Sequence, residues 1–501
     1  MARQSWDVAR CIVSAALALA LTLLAPSVLA HDSGFGLARY TPDGQLDTSF
    51  GQGGIVVTRS QQSSFVANAL ALQTDGKIVL GGMLSDVSSG RLDLAVARYN
   101  SDGTPDPSFG NLGLVSTPVG SAGGEANAIS IERDAAILVA GTAFSQGSAG
   151  DAALVARYTR NGVLDATFGT AGITTTQLGS GASTAAALTV LPDDRVIIVG
   201  TAYSNGPTDD DFATARYTSA GRLDQSFGNA GIVTTDFGSS GVRTSVDRAT
   251  CLVVQPDGKL VVAGFTRGAR QSFAVARYTP EGSLDSGFGT SGKFQIDAVE
   301  PQVFAVILQS SGDIVLAGST STQSGTAPFA LVRLLSDGTP DALFGEGGLV
   351  STAFEGSRSG ARAVIAQPDG KLVTGGARFG APSAQGDALA QSGFALARYK
   401  ADGSIDATFG AGGRELTDLG DAGATPLSLA VQSDGKILAA GLVFFQVQST
   451  PLSNPDVSSV ALVGLAIAAF IALGLMSLLR RRKRRETLAS TTPVPRSSRT
   501  K

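Results

Sequence analysis

One phrase returns seven times along this 501-residue chain, and its spacing constrains the fold more than any other feature. The first copy reads Phe35-Gly-Leu-Ala-Arg-Tyr-Thr-Pro-Asp-Gly-Gln-Leu-Asp-Thr-Ser-Phe-Gly51. Its arginine recurs at Arg39, Arg98, Arg157, Arg216, Arg277, Arg333 and Arg398, giving spacings of 59, 59, 59, 61, 56 and 65. A fixed period near 60 residues denotes stacked supersecondary units, each burying its apolar faces on its neighbours.

A shorter phrase alternates with the first, also seven times. Its clearest copies are Asn68-Ala-Leu-Ala-Leu-Gln-Thr-Asp-Gly-Lys-Ile-Val-Leu-Gly-Gly82 and Val253-Val-Gln-Pro-Asp-Gly-Lys-Leu-Val-Val-Ala-Gly264. Apolar residues flank a polar turn without a 3.6-residue period, which reads as strand–turn–strand. In Thr41-Pro42-Asp43-Gly44, proline suits the second position of a type I turn. Gly44 then supplies the positive φ of a three-residue hairpin loop. Two short copies place Ala135 and Asp194 where glycine belongs. Alanine tolerates that conformation worst, so the hairpin at Ala135 is expected to be the most strained of the set.

Two hairpins per period make four antiparallel strands, the content of one propeller blade. The chain opens with a long-phrase hairpin over 35–58 and closes with a short-phrase hairpin over 427–441. Six complete blades lie between, and the two halves make a seventh. The expected fold is all-β: a seven-bladed propeller over 31–450, its ring closed by the terminal hairpins so that no edge strand stays open. An open β-solenoid is the alternative, but it has no need of complementary half-units at its ends.

The recurring Ala-Arg-Tyr, Asp-Gly, Leu-Asp, Phe-Gly and Asp-Gly-Lys, in register over 35–441, resemble the delta-60 repeat. That family consists of bacterial repeats of propeller type on secreted and surface proteins. The sixth copy departs, reading Val332-Arg333-Leu334 without the tyrosine. The resemblance implies architecture and an extracytoplasmic setting and brings no catalytic residues with it.

The two ends read as an address. Residues 1–30 combine Arg3 and Arg10, an apolar run from Cys11 to Ala25, and Val28-Leu-Ala30, the pattern of a secretory signal peptide with His31 as mature N-terminus. An uncleaved anchor is the competing reading. After a linker at 451–456, residues 457–479 are 23 residues without a charge. At ~1.5 Å per residue such a helix spans a ~30 Å hydrocarbon core. Arg480-Arg-Arg-Lys-Arg-Arg485 follows, which places the basic, Ser/Thr/Pro-rich tail 480–501 in the cytoplasm. The expectation is a single-pass protein of the bacterial cell membrane, its propeller periplasmic or at the cell surface. A processed C-terminal sorting signal is the alternative, and the chain holds no Leu-Pro-x-Thr-Gly motif.

Composition narrows the chemistry. Residues 31–456 hold 27 Lys and Arg against 40 Asp and Glu, a net −13, so nucleic acid is not an expected partner. His31 is the only histidine, which excludes a Ser-His-Asp or Cys-His site and any multi-histidine metal site. Cys251 is the only cysteine beyond the leader, and it sits in an apolar strand where it reads as core. Trp6, the only tryptophan, lies in the leader, and of seven tyrosines only Tyr203 stands outside the repeated phrases. No catalytic constellation emerges, no cofactor is required, and Ca²⁺ is the one cation that the acidic loops invite.

Each long phrase carries an aspartate eight residues after its arginine: Asp47, Asp106, Asp165, Asp224, Asp285, Asp341 and Asp406. In the three-residue turn, Thr41 pairs with Gln45 and Arg39 lies opposite Asp47, so seven buried structural ion pairs are expected. Both Asp-Gly turns of a blade then fall on one rim. The variable connections fall on the other: 83–93, 144–151, 203–211, 237–248 and 378–392. Within them Asp209-Asp210-Asp211, beside Tyr203, is the densest acidic cluster and the expected place for a cation or basic ligand. The leading function is a surface-tethered binding or scaffolding module for a protein or envelope ligand. A carboxylate- or Ca²⁺-dependent propeller enzyme, lactonase-like or lyase-like, and a passive spacer are the other two classes.

Overall fold

A computed structural model describes residues 31–59, 63–86, 91–146, 150–203, 210–238, 245–268, 271–298, 300–320, 327–354, 358–379, 392–419 and 423–446. The leader, the linker, the apolar span 457–479 and the tail 480–501 lie outside the described residues. So do the middles of the five variable connections. All regular structure among the described residues is β, in 28 strands.

The strands form seven four-stranded antiparallel blades, numbered here by their Arg phrase. Blade 1 joins His31–Tyr40 and Ile55–Thr58 to Ala424–Val431 and Ile437–Gln446. Blades 2 to 7 occupy 63–117, 123–176, 183–235, 246–297, 302–352 and 358–417, with one parallel bridge, Leu92 to Gly123, between blades 2 and 3. In blade 1 the terminal hairpins pair as the phrase order requires: Phe35 lies opposite Leu442 and Arg39 opposite Leu438. The first strand of each blade carries a bulge, as at Ala249/Cys251, that accommodates one extra residue.

Apolar packing runs between blades. Leu37 and Phe35 of blade 1 cluster with Phe65, Ile78 and Leu80 of blade 2, and Ala38 and Ile437 with Val373, Phe394 and Phe409 of blade 7. Cys251 lies in the core between blades 5 and 6, as expected, and burial pushes its thiol up to about 12.

The repeated phrases prove to be a code for the joint between blades. Phe50 is fully buried, and its ring sits against Gly103 of the next blade's turn, where a Cβ would approach the ring within 2.9 Å. Gly44 meets Phe409 of blade 7 in the same way, and each of these glycines also has positive φ (90° and 92°). The glycine of Phe-Gly completes the joint, with Gly51 N donating to Asp102 O and Gly410 N to Asp43 O, at 2.9 and 2.8 Å. Tyrosine does so on the other side, since Tyr158 Oη donates to Thr117 of the preceding blade at 2.7 Å. Blade 6 explains its own departure: Leu334 replaces tyrosine and packs with Ile296, which stands where the other blades have threonine.

The turns form as the phrase predicts, and the chain beyond them adds a detour. Thr41 N donates to Gln45 O and Tyr40 bridges Leu46, as the three-residue loop predicts. The hairpin does not continue straight into the outer strand, however. Residues 47–54 make a further excursion through the buried Phe50 before Ile55–Thr58 begins, because the ring must reach the neighbouring blade. Ala135 and Asp194 adopt the left-handed conformation, with φ of 65° and 63°.

Candidate functional site

All seven Arg–Asp pairs form on the turn rim. Nε to Oδ2 is 2.8 Å for Arg39–Asp47, Arg98–Asp106, Arg216–Asp224, Arg277–Asp285 and Arg398–Asp406. Arg157–Asp165 and Arg333–Asp341 close through Nη atoms at 2.7 and 2.6 Å. The guanidinium also crosses the joint: Arg39 donates to Ser101 O at 2.6 Å, Arg216 to Pro280 O at 2.5 Å, and Arg398 to Pro42 O at 2.7 Å. It stacks on the Phe of its own phrase as well, with Arg39 4.5 Å from the Phe50 ring centre.

The lysine of Asp-Gly-Lys, to which the sequence reading gave no role, is the third member of this network. Lys77 reaches Asp106 at 3.1 Å, Lys371 reaches Asp406 at 3.1 Å and Lys436 reaches Asp47 at 3.1 Å. Its recurrence at one offset in the short phrase was the available signal. Blade 3 has Ala136 there, and Arg157 turns instead to Glu132 at 2.5 Å and Asp134 at 3.1 Å. The aspartates are held below the ordinary carboxylate range. For Asp47 the Ser49 hydroxyl contributes most, ahead of opposing burial. For Asp106 burial works the other way and is overcome by Ser108, Lys77 and Arg98. On this rim each of the seven aspartates has an arginine partner.

The other rim is built differently. Asp209 lies outside the described residues, and the structure separates its two neighbours. Asp210 pairs with Arg248 at 3.2 Å, and that guanidinium lies 5.4 Å from the ring centre of Tyr203. Asp211, the first residue of the blade 4 strand Asp211–Tyr217, points elsewhere: its carboxylate gathers with those of Asp236 and Asp247, ligand-capable oxygens within 4.8 Å of one another. Asp210 and Asp211 are therefore not in one cluster, because successive residues of an extended chain face opposite sides.

Three elements meet at this corner. Asp236 follows the outer strand Ile232–Thr235, and Asp247 is second in Val246–Val254, the first strand of blade 5. Asp247 N donates to Asp210 O at 2.8 Å, and Asp210 bridges Val246 in parallel, which brings blade 5 against the start of the blade 4 strand. Asp236 is exposed, Asp211 half-buried and Asp247 fully buried. Oδ2 of Asp247 accepts from Phe237 N at 2.6 Å and Ser245 Oγ at 3.2 Å, whereas its buried Oδ1 has no hydrogen-bond partner. Burial is the largest cause raising its carboxyl to about 6, with Asp236 adding to it and Thr266 and the Phe237 amide opposing. A groove of about 660 Å³ runs along Ile232–Thr234 from Gly228 and Asn229 to Asp211 and Tyr203. The two aspartates missed by sequence lie 25 and 36 positions from Asp211, and only the strand register brings them to it.

Seven stretches of the chain, 30–50, 73–109, 136–168, 191–227, 255–288, 309–344 and 367–409, match the family model described as a domain of unknown function (DUF5122) beta-propeller. The match supports a β-propeller repeat family and leaves the delta-60 name as a resemblance. No curated protein is similar to the chain. Similar solved structures include a protein of unknown function from Dyadobacter fermentans DSM 18053, 10% identical over 77% of this chain and 96% of that one, with a TM-score of 0.43. A PL25 ulvan lyase is 10% identical over 73% and 87%, with a TM-score of 0.40. A glucose dehydrogenase is 14% identical over 63% and 94%, with a TM-score of 0.37. None of these scores carries an inference to the chemistry of this chain.

Proposed function

We propose that this seven-repeat β-propeller is a membrane-anchored, extracytoplasmic binding or scaffolding module. Its ring is closed by the terminal hairpins, and it engages a protein or envelope component through the loop rim. One observation supports the reading above the others. The turn rim repeats one Arg–Asp pairing seven times, whereas the loop rim departs from the repeat, with connections of unequal length and, among the described residues, an acidic corner at one joint. Recognition concentrates on variable loops carried by a rigid scaffold. The leader-like residues 1–30, the apolar run 457–479 and the basic cluster 480–485 support the address.

Capture from envelope extract by the immobilised full chain tests this reading. Replacing 204–209 and 380–391 with Gly-Ser segments is expected to abolish specific capture. Changing exposed residues of the turn rim, such as Asp43→Ser, is expected to leave it intact. Capture that survives the loop replacements and is lost only through the turn rim would overturn the assignment.

A further inference from the structure

We propose that Asp211, Asp236 and Asp247 form a binding site for a divalent cation of the Ca²⁺ type at the joint between blades 4 and 5. This goes beyond the binding-module reading, since it requires no macromolecular partner.

The repeat supplies an internal comparison. Aligned on the first-strand bulge, Asp247 corresponds to Phe65, Gly124, Ser183, Pro301, Ser359 and Ala424 in the other joints. It is the one acid among the seven. Ser183 shows what the fold requires there: its Oγ accepts from Leu178 N at 2.8 Å, as Asp247 Oδ2 accepts from Phe237 N. A single oxygen suffices for that task. The second oxygen of Asp247 and its charge are surplus to the fold, and Oδ1 is buried without a partner.

The other two acids also stand at positions that are seldom acidic in the repeat. The position of Asp211 is acidic otherwise only at Asp93, and that of Asp236 only at Asp297 and Asp418. In those blades the carboxylate is used singly. Asp93 accepts from Ser116 at 2.8 Å, Asp297 accepts from Ser272 at 2.9 Å, and Gly393 stands opposite Asp418. Only at the joint after blade 4 do all three positions carry carboxylates. Lys293 donates at 2.6 Å to the backbone carbonyl of Asp236, and Arg248 is engaged by Asp210. A buried carboxylate oxygen is costly unless something positive or protic meets it.

Ligand chemistry selects the ion. All three donors are hard oxygens, and Ca²⁺ binds such oxygens at ~2.3–2.6 Å, so it spans ligands up to about 5 Å apart. Mg²⁺, at ~2.0–2.1 Å and with strict octahedral demands, would need the corner to contract. Asp236 leaves the site open to solvent on one side, the route by which an ion enters and water completes its shell.

The test uses the full chain, stripped with chelator, and Ca²⁺ alone as the probe. Calorimetric titration is expected to find one Ca²⁺ bound at this joint, with a melting temperature that rises with Ca²⁺. Asp247→Ser installs the residue of blade 4's own first strand and keeps the amide bond to Phe237. It is expected to weaken Ca²⁺ binding at least tenfold while the chelated protein stays folded. Asp418→Ser, a lone acid of another joint, is expected to bind as the parent does. If Asp247→Ser does not fold, Asp236→Asn, at an exposed position, gives the same reading. A parent chain that binds no Ca²⁺ at millimolar concentration, or an Asp247→Ser or Asp236→Asn chain that binds it undiminished, overturns the site.

Discussion

The two rims of this propeller bury carboxylates in opposite ways. On the turn rim, Asp47, Asp106 and Asp406 sit among serine or threonine donors, an arginine and a lysine, and stay ionised far below the usual range. On the loop rim, burial pushes Asp247 up to about 6 and Glu125 up to about 7, and each keeps an oxygen without a partner. The residue chemistry is the same and the outcome differs because of what surrounds it. A repeated, ion-paired network is what holding neighbours together requires. Unsatisfied buried charge at isolated points is what a structural role does not require.

The strongest challenge to this division removes part of the ring. Deleting 31–58 takes two strands from blade 1 and leaves Ile437–Gln446 with an open edge. The shortened chain is expected to aggregate, as read by sedimentation, and a monomer melting like the parent would break the account.

Arginine substitutions come next and separate one blade from another. Arg333→Ala leaves Asp341 without a second cation among the described residues, and is expected to cost ~3–5 kcal/mol in denaturant unfolding. Arg98→Ala leaves Lys77 at 3.1 Å from Asp106 and is expected to cost less, ~1–3 kcal/mol. Arg216→Ala, with Arg195 still 3.2 Å from Asp224, belongs with the second. An unchanged melting temperature in all three would refute the pairing.

Glu125 gives a pH signature. Burial, with a smaller contribution from Asp151, pushes its folded carboxyl up from the ordinary 4.5 to about 7 against a weak bond from Asn127. Between those values the folded chain keeps a proton that the unfolded chain releases. Stability from this group therefore falls as pH rises through that window and levels off above it. Glu125→Gln is expected to remove that fall, gaining ~3 kcal/mol relative to the parent at pH 8 but little at pH 4. Parallel pH profiles for the two proteins would contradict it. The smallest effect is at Ala135, whose φ of 65° suits glycine. Ala135→Gly is expected to stabilise by ~1 kcal/mol.

Much of the turn rim was legible in sequence because it is written seven times. The spacing of Arg39 and Asp47 survives in every copy, and the turn residues dictate their own conformation. The detour through Phe50 was not legible, because it serves a contact with the next blade. The acidic corner was legible by one residue in three. Asp211 stood in a visible triplet, but strand alternation split it from Asp210. Asp236 and Asp247 join it only through pairings between strands and between blades.

The central claim is that the turn rim holds the ring and the loop rim is free to vary. Melting the full chain beside two variants tests it most directly. In Gly282→Val a side chain must fit where a Cβ already meets the Phe227 ring at 2.9 Å with φ of 92°. In the other variant, 204–209 are replaced by Gly-Ser. The account predicts that Gly282→Val melts far below the parent while the loop variant melts with it; equal losses, or the reverse order, would contradict it.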